Sequence, residues 1–415
     1  MRRHGILAIG ALLVWLSALP ARAGEVADWN QFRGPDRNGV STETNWRTDW
    51  PKGGPKALWT VNVGVGCSSP VVVVGRVYTM GNTGKPDKET KNEDSVLCLN
   101  GDTGEVVWTY SYESTADPVG YEGGPTSTPC VDGKLLYAMS HKGRVVCLDV
   151  ESGKLVWENT EFVNPKMVLH GGYSGSPLVE GNLLIVTPGK LIAFDKTTGR
   201  IVWKNDNGSR WASPVPFVRD GRRLLMVLGQ KGLMAVDPAD GKPLWTFPCP
   251  WTEGVGDPMI SGDEVFVSAH TKGCGLVNFG GDAPRIVWQN MELSNYYATW
   301  VLHCGFLYAF DGKGAYASGF KCIEFKTGDV KWAQGKLAYG TVSLMLAGDK
   351  LVMVTNNGTL IVAEASPEGY REIARASVLK SRCSAPPLLW HGRIYCRSNK
   401  GDLVCLDVSV GPEGK

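Results

Sequence analysis

After its first residues the chain contains no run approaching the ~18 apolar residues that a membrane helix needs, so no membrane span is expected. It carries no surplus of one charge either. The 43 Lys and Arg nearly balance 41 Asp and Glu for a formal net charge of +2, which removes the electrostatic case for nucleic acid. Eleven cysteines follow no CxxC, CxxCH or zinc-ligand spacing. No Ser stands in a GxSxG context, which leaves nucleophilic hydrolysis without a signal. His141, His170 and His270 make a metal site conceivable, yet no ligand spacing supports one.

The N-terminus reads as an export signal. Arg2 and Arg3 precede an apolar stretch from Ile6 to Leu19, and Ala21-Arg22-Ala23 supplies the small residues of a cleavage site. Cleavage near Ala23 would place a monomeric protein in the periplasm or outside the cell, with residues 24–56 as an N-terminal extension and 57–410 as the main domain. No Cys follows the apolar run closely, so the acylated cysteine of a lipoprotein is missing. In an oxidising compartment an odd count of eleven leaves at least one Cys unpaired or paired between chains.

What the chain has in abundance is a repeat. The unit is clearest from Ser127 to Trp157, where four short β-rich runs are separated by Gly-bearing turns, as in a propeller blade. The closing residues Trp108, Trp157, Trp203, Trp245, Trp288 and Trp332 stand, by subtraction, 42 to 49 residues apart. Six inner strands open on a residue followed by Pro: Ser69-Pro70, Thr128-Pro129, Ser176-Pro177, Ser213-Pro214, Asp257-Pro258 and Ala385-Pro386. Two others start at Ala298-Thr299-Trp300 and Gly340-Thr341-Val342. The seventh unit has no Trp in its expected fourth strand, Tyr370 to Ala374, and the eighth, Cys383 to Val408, stops after three strands. Leu58 to Val61 fits the missing strand. The expected fold is therefore all-β: an eight-bladed β-propeller of four-stranded antiparallel blades, closed by an N-terminal strand that completes the last blade.

These residues resemble the PQQ-like repeat, shared by quinoprotein alcohol dehydrogenases and by BamB-type propellers. Trp29 to Ser41 is similar to the opening of many exported propellers of this kind, and either plugs the ring or docks elsewhere. The resemblance is specific for fold and weak for function. A quinoprotein dehydrogenase implies PQQ, a Ca²⁺ held by carboxylate and amide oxygens, an Asp base and, in many members, adjacent cysteines. This chain has no Cys-Cys dipeptide, and no cofactor is expected.

The leading reading is a non-enzymatic envelope propeller that binds a protein or polymer, a polysaccharide included. The alternatives are a quinone-dependent alcohol or sugar dehydrogenase and a carbohydrate-binding or carbohydrate-cleaving propeller. Loops entering the inner strands should converge at the axis on one face. They contribute Tyr173, Arg210, Trp211, Asp257, Tyr297, Tyr339 and Arg382, which could hold a peptide or sugar by stacking and charge-assisted hydrogen bonds, or could simply plug the channel and pair with one another. Lys142, Lys231, Lys272, Lys313 and Lys400 each precede a Gly in second-to-third strand turns, forming a basic rim or merely reflecting turn chemistry. Gly81 to Asp94 reads as an exposed insertion. Cys396 and Cys405 flank a turn whose Gly401 favours a bulge, which would set Tyr395 opposite Cys405 and leave both thiols free.

Overall fold

The computed structural model describes residues 26–83, 92–118, 121–166, 171–252, 254, 256–295, 299–312, 318–338 and 343–411. Eight sheets form the ring. Blade 1 opens with Val71–Val73, blade 2 with Cys130–Asp132, blade 3 with Leu178–Glu180 and blade 4 with Val215–Arg219. Blades 5 to 8 open with Met259–Ser261, Trp300–His303, Ser343–Ala347 and Leu388–Trp390. Each blade runs antiparallel from this inner strand outward, so buried apolar residues of its middle strands fill the space between neighbouring sheets.

The fourth strands explain the recurring Trp. In every blade the third-to-fourth pairing shifts register beside the Trp position or its equivalent, a bulge that turns the side chain along the ring. The indole then docks on the next blade. Trp157 Nε1 donates to Lys196 O at 3.0 Å, Trp203 to Pro238 O at 2.9 Å and Trp288 to Phe325 O at 3.0 Å. Beneath the ring lies a turn glycine with positive φ. A Cβ on Gly199 would stand 2.5 Å from Trp157, and one on Gly153 2.5 Å from Trp108. Both conformation and contact therefore demand Gly there.

Ring closure uses the N-terminus. Lys56–Asn62 pairs antiparallel with Asp402–Asp407 as the fourth strand of blade 8, longer than the expected Leu58 to Val61. Trp59 donates to Gly101 O at 2.9 Å, so the closing strand docks on blade 1 as the other Trp residues dock on their neighbours. Blade 7 ends in Glu372–Ser377, two residues later than the expected start and without a Trp. There the extension serves instead. Buried Trp46 bridges to Ser409, Arg47 N donates to Val408 O, and the Glu43 carboxylate accepts from the amides of His391 and Gly392.

One expectation needs correction, and one open alternative narrows. Gly81, Asn82, Glu93 and Asp94 belong to strands, and Asn82 and Asp94 are buried and hydrogen-bonded to each other, so the expected insertion does not include them; residues 84–91 lie outside the described residues. Lys142 is buried in an ion pair with Asp117 and does not join a basic rim; Lys231, Lys272 and Lys400 are exposed, and Lys313 lies outside the described residues. At the last turn, Tyr395 does pair with Cys405, and all eleven cysteines are free.

Candidate functional site

Positions immediately before the inner-strand prolines form a circumferential hydrogen-bond chain. Ser69 N donates to Thr128 Oγ1 at 3.1 Å, Thr128 N to Ser176 Oγ at 3.0 Å and Ser176 N to Ser213 Oγ at 3.0 Å. Ser213 N continues it to Asp257 Oδ1 at 2.6 Å. Four blades thus place a hydroxyl where the fifth places a carboxylate. A charge substituted into a ring of hydroxyls is a local departure from the repeat, which marks a functional position more sharply than charge alone.

Residues 29–41 cross the axis below this ring. Trp29 exchanges both backbone hydrogen bonds with Val72 of blade 1, and Asn30 O accepts from Val131 N of blade 2. On the far side Val40–Ser41 pairs in parallel with Leu346 and Ala347 of blade 7. Arg37 donates to Gln31 Oε1 at 3.0 Å and to the carbonyls of Ser176 and Pro177 in blade 3. Arg33 donates to Asn38 O at 2.9 Å and to Trp300 O in blade 6. The segment is a plug.

Both guanidiniums are buried, Arg33 at 4% and Arg37 at 2% exposure. Burial lowers the Arg33 pKa to about 10 against the opposing pull of Asp257, and lowers that of Arg37 for the same reason. Asp257 is pushed upward by its own burial, which outweighs Arg37, Arg33 and the Ser213 amide. Blade 8 adds Arg397, 1% exposed, which donates to Ser68 O, to Thr79 Oγ1 at 2.8 Å and to Gly64 O at 3.0 Å.

Above the plug, where the inner strands begin, a pocket of about 130 Å³ opens. Phe32 and Arg33 contribute to it from the plug, and Trp211, Asp257, Arg382, Tyr121 and Pro386 from the surrounding loops. Of the expected site residues, Trp211, Asp257 and Arg382 therefore meet at one place. Tyr173 instead packs between blades 2 and 3 with Tyr137, Trp157 and Phe194, and Arg210 is exposed outside the pocket lining. Tyr297, Tyr339 and His170 lie outside the described residues. Phe32, Arg33 and Arg37 were missed because the plug has no periodicity; their only signal was a compact Trp-to-Ser stretch ahead of the repeats.

A second polar cluster joins blades 1 and 2 on the same face. Buried His141 stands 3.4 Å from Asp94 and 3.6 Å from Asp117, and its Nε2 lies 3.0 Å from Thr115 O. Burial alone would discharge the imidazole, but hydrogen bonds to Asp117 and Asp94 outweigh it and raise the pKa to about 9. The cluster ties residues 115–117 to blade 2, and the same connection carries Tyr121 to the pocket.

The family model described as outer membrane protein assembly factor BamB matches residues 51–187, 92–334 and 187–413. The chain belongs to the BamB family. It is 23% identical to outer membrane protein assembly factor BamB of Yersinia pestis, over 68% of this chain and 74% of that protein. A quinoprotein ethanol dehydrogenase of Pseudomonas aeruginosa is 25% identical over 58% of this chain, which spans only 43% of that enzyme. In fold it resembles the quinohemoprotein alcohol dehydrogenase of Comamonas testosteroni, with a TM-score of 0.66, 14% identity and coverage of 94% and 82% of the two chains. Membership in the BamB family thus rests on sequence, while the propeller itself is common to the family and the dehydrogenases.

The calcium ion implied by the wider resemblance does not fit the axial pocket. The one carboxylate at the axial pocket faces two buried arginines, whose charge opposes a dication at that place.

Proposed function

We propose that this protein is a non-enzymatic propeller of the cell envelope that recognises a protein partner through the face where its inner strands begin. The observation that carries this reading is the blind axial pocket, floored by the plug and rimmed by Trp211 and Tyr121. Aromatic and Arg side chains around a desolvated recess are the composition of recognition hot spots. The BamB relative supports a protein partner in the envelope, and among the described residues no helix is long and apolar enough to cross a membrane. On this reading the signal sequence of residues 1–23 delivers the chain to the periplasm or beyond.

Capture from a detergent-solubilised envelope fraction tests it. A folded Trp211→Ala, Tyr121→Ala double variant should recover the partner at least ~10-fold less efficiently, the loss expected when a hot spot worth ~1.4 kcal/mol or more is removed. Unchanged capture would exclude this face. Incubation with PQQ and Ca²⁺ should yield no dye reduction with ethanol or glucose; turnover would establish the dehydrogenase reading instead.

A further inference from the structure

The axial hub holds more buried positive charge than it neutralises. Arg33, Arg37 and Arg397 are each at most 4% exposed, and their hydrogen bonds run to carbonyls, one amide oxygen and one hydroxyl. Among the described residues, none of the three forms an ion pair; their partners are the neutral oxygens just named. Against these stand Asp257 in the pocket and Glu122, which accepts from Asn399 Nδ2 at 2.8 Å beside blade 8. Burying a charge without a paired opposite charge is costly, so the hub is arranged to gain from an anion that completes it.

Shape narrows the class of anion. The plug runs from blade 1 across to blade 7 beneath the pocket and closes that side of it. A through-going chain cannot pass. Its volume of about 130 Å³ is close to the ~150 Å³ of a cavity that admits benzene, so one apolar side chain fits but a folded loop does not. The walls match such a group: Phe32, Trp211, Tyr121 and Pro386 offer ring faces and apolar surface, while hydroxyls of Ser213, Thr299, Ser343 and Ser384 stand among the lining.

We propose that the pocket captures the C-terminal end of a polypeptide, its α-carboxylate directed toward Arg33 and Arg382 and its last, apolar side chain seated against Phe32 and Trp211. This rests on the reading of the entry face as a recognition surface and assigns the partner's chemistry. Recognition of a terminal carboxylate by a guanidinium is charge-assisted and geometrically selective. It also gives Asp257 a purpose within the same site. As the carboxylate at the centre of the hub, it restrains anion binding and prevents the unliganded pocket from holding any passing acid.

The test uses N-acetylated tripeptides ending in Phe, Trp, Tyr, Leu or Met, prepared as free acids and as C-terminal amides, titrated calorimetrically into the full-length exported protein. At least one free acid should bind ~10-fold more tightly than its amide, a difference of ~1.4 kcal/mol. Asp257→Asn keeps an oxygen for the Ser213 amide and removes the opposing charge. It should tighten the acids several-fold and leave the amides unchanged, a gain that a merely damaged fold would not produce. Arg33→Gln should abolish the difference between acid and amide. Equal binding of acids and amides across the series would overturn the proposal. So would binding of phenylacetate without any of the peptides, which would make the pocket a site for small free acids. If Trp211→Ala loses partner capture while acids and amides stay indistinguishable, the recognition face stands and the carboxylate assignment falls.

Discussion

The rim of the ring and its axis solve opposite problems with different residues. At five seams of the rim an indole lies on a turn glycine of the next blade and donates to a nearby carbonyl, a local contact repeated with small variations. At the axis, a single non-repeating segment satisfies five blades at once, and its arginines reach partners as far away in sequence as Trp300. The rim is built for stability, since its interactions are apolar, paired and redundant around the circle. The hub instead buries three guanidiniums that, among the described residues, hydrogen-bond to neutral oxygens, a local departure of the kind expected where a site is.

The sharpest test of that contrast is to damage one seam. Trp157 is 8% exposed and packs on Tyr137 and Phe194 across the gap between blades 2 and 3. Trp157→Ala should destabilise by about 3–5 kcal/mol in urea unfolding, through a cavity that the sheets cannot close. A loss below ~1 kcal/mol would mean that the seams are not what holds the ring.

His141 lies between rim and axis and predicts a pH dependence. Its folded pKa of about 9 exceeds the ordinary 6.5, so the stabilisation is complete below pH ~6.5 and fades as pH rises through about 9. The full linkage is about 3 kcal/mol, and His141→Gln should remove this slope from a stability profile between pH 6 and 10. A wild-type profile no steeper than the variant's would show that Asp94 and Asp117 do not hold an imidazolium.

At the hub, Arg37→Ala leaves the buried acceptors of Ser176, Pro177 and Gln31 without their donor. We expect a loss of about 2 kcal/mol, smaller than that of the seam Trp, with faster proteolysis confined to residues 26–41. A loss equal to that of Trp157→Ala would erase the distinction between the regions. The smallest effect belongs to exposed charge. Lys190 meets Asp206 at 2.7 Å with both side chains more than half exposed, and Lys190→Ala should change stability by less than ~0.5 kcal/mol. A larger change in thermal unfolding would show that rim charge matters as much as hub charge.

Much of this arrangement was legible in particular residues. Gly before the fourth strand and Trp within it announced the seams, and the unpaired pattern around Trp59 announced closure. Trp211, Asp257 and Arg382 were legible as neighbours because residues at equivalent repeat positions converge by symmetry. Tyr173 shares that repeat position, yet its ring turns into the apolar space between blades 2 and 3. Arg210 precedes Trp211 by one residue, yet it is exposed and is not among the lining residues. Asp94 sits at the edge of a polar stretch, and only its pairing with Asn82 and approach to His141 make it part of the interior.

The amino-acid sequence alone determined the number of blades, the strand that closes them and the Trp positions that end most fourth strands, because those features recur with one period. Tertiary structure alone decided that residues 29–41 plug the ring, that Arg33, Arg37 and Arg397 gather there with neutral oxygens as partners among the described residues, and that a pocket remains above them. The physical reason is separation. A guanidinium in an aperiodic segment meets its partners only after the ring has closed, so nothing local in the chain records where it will be buried.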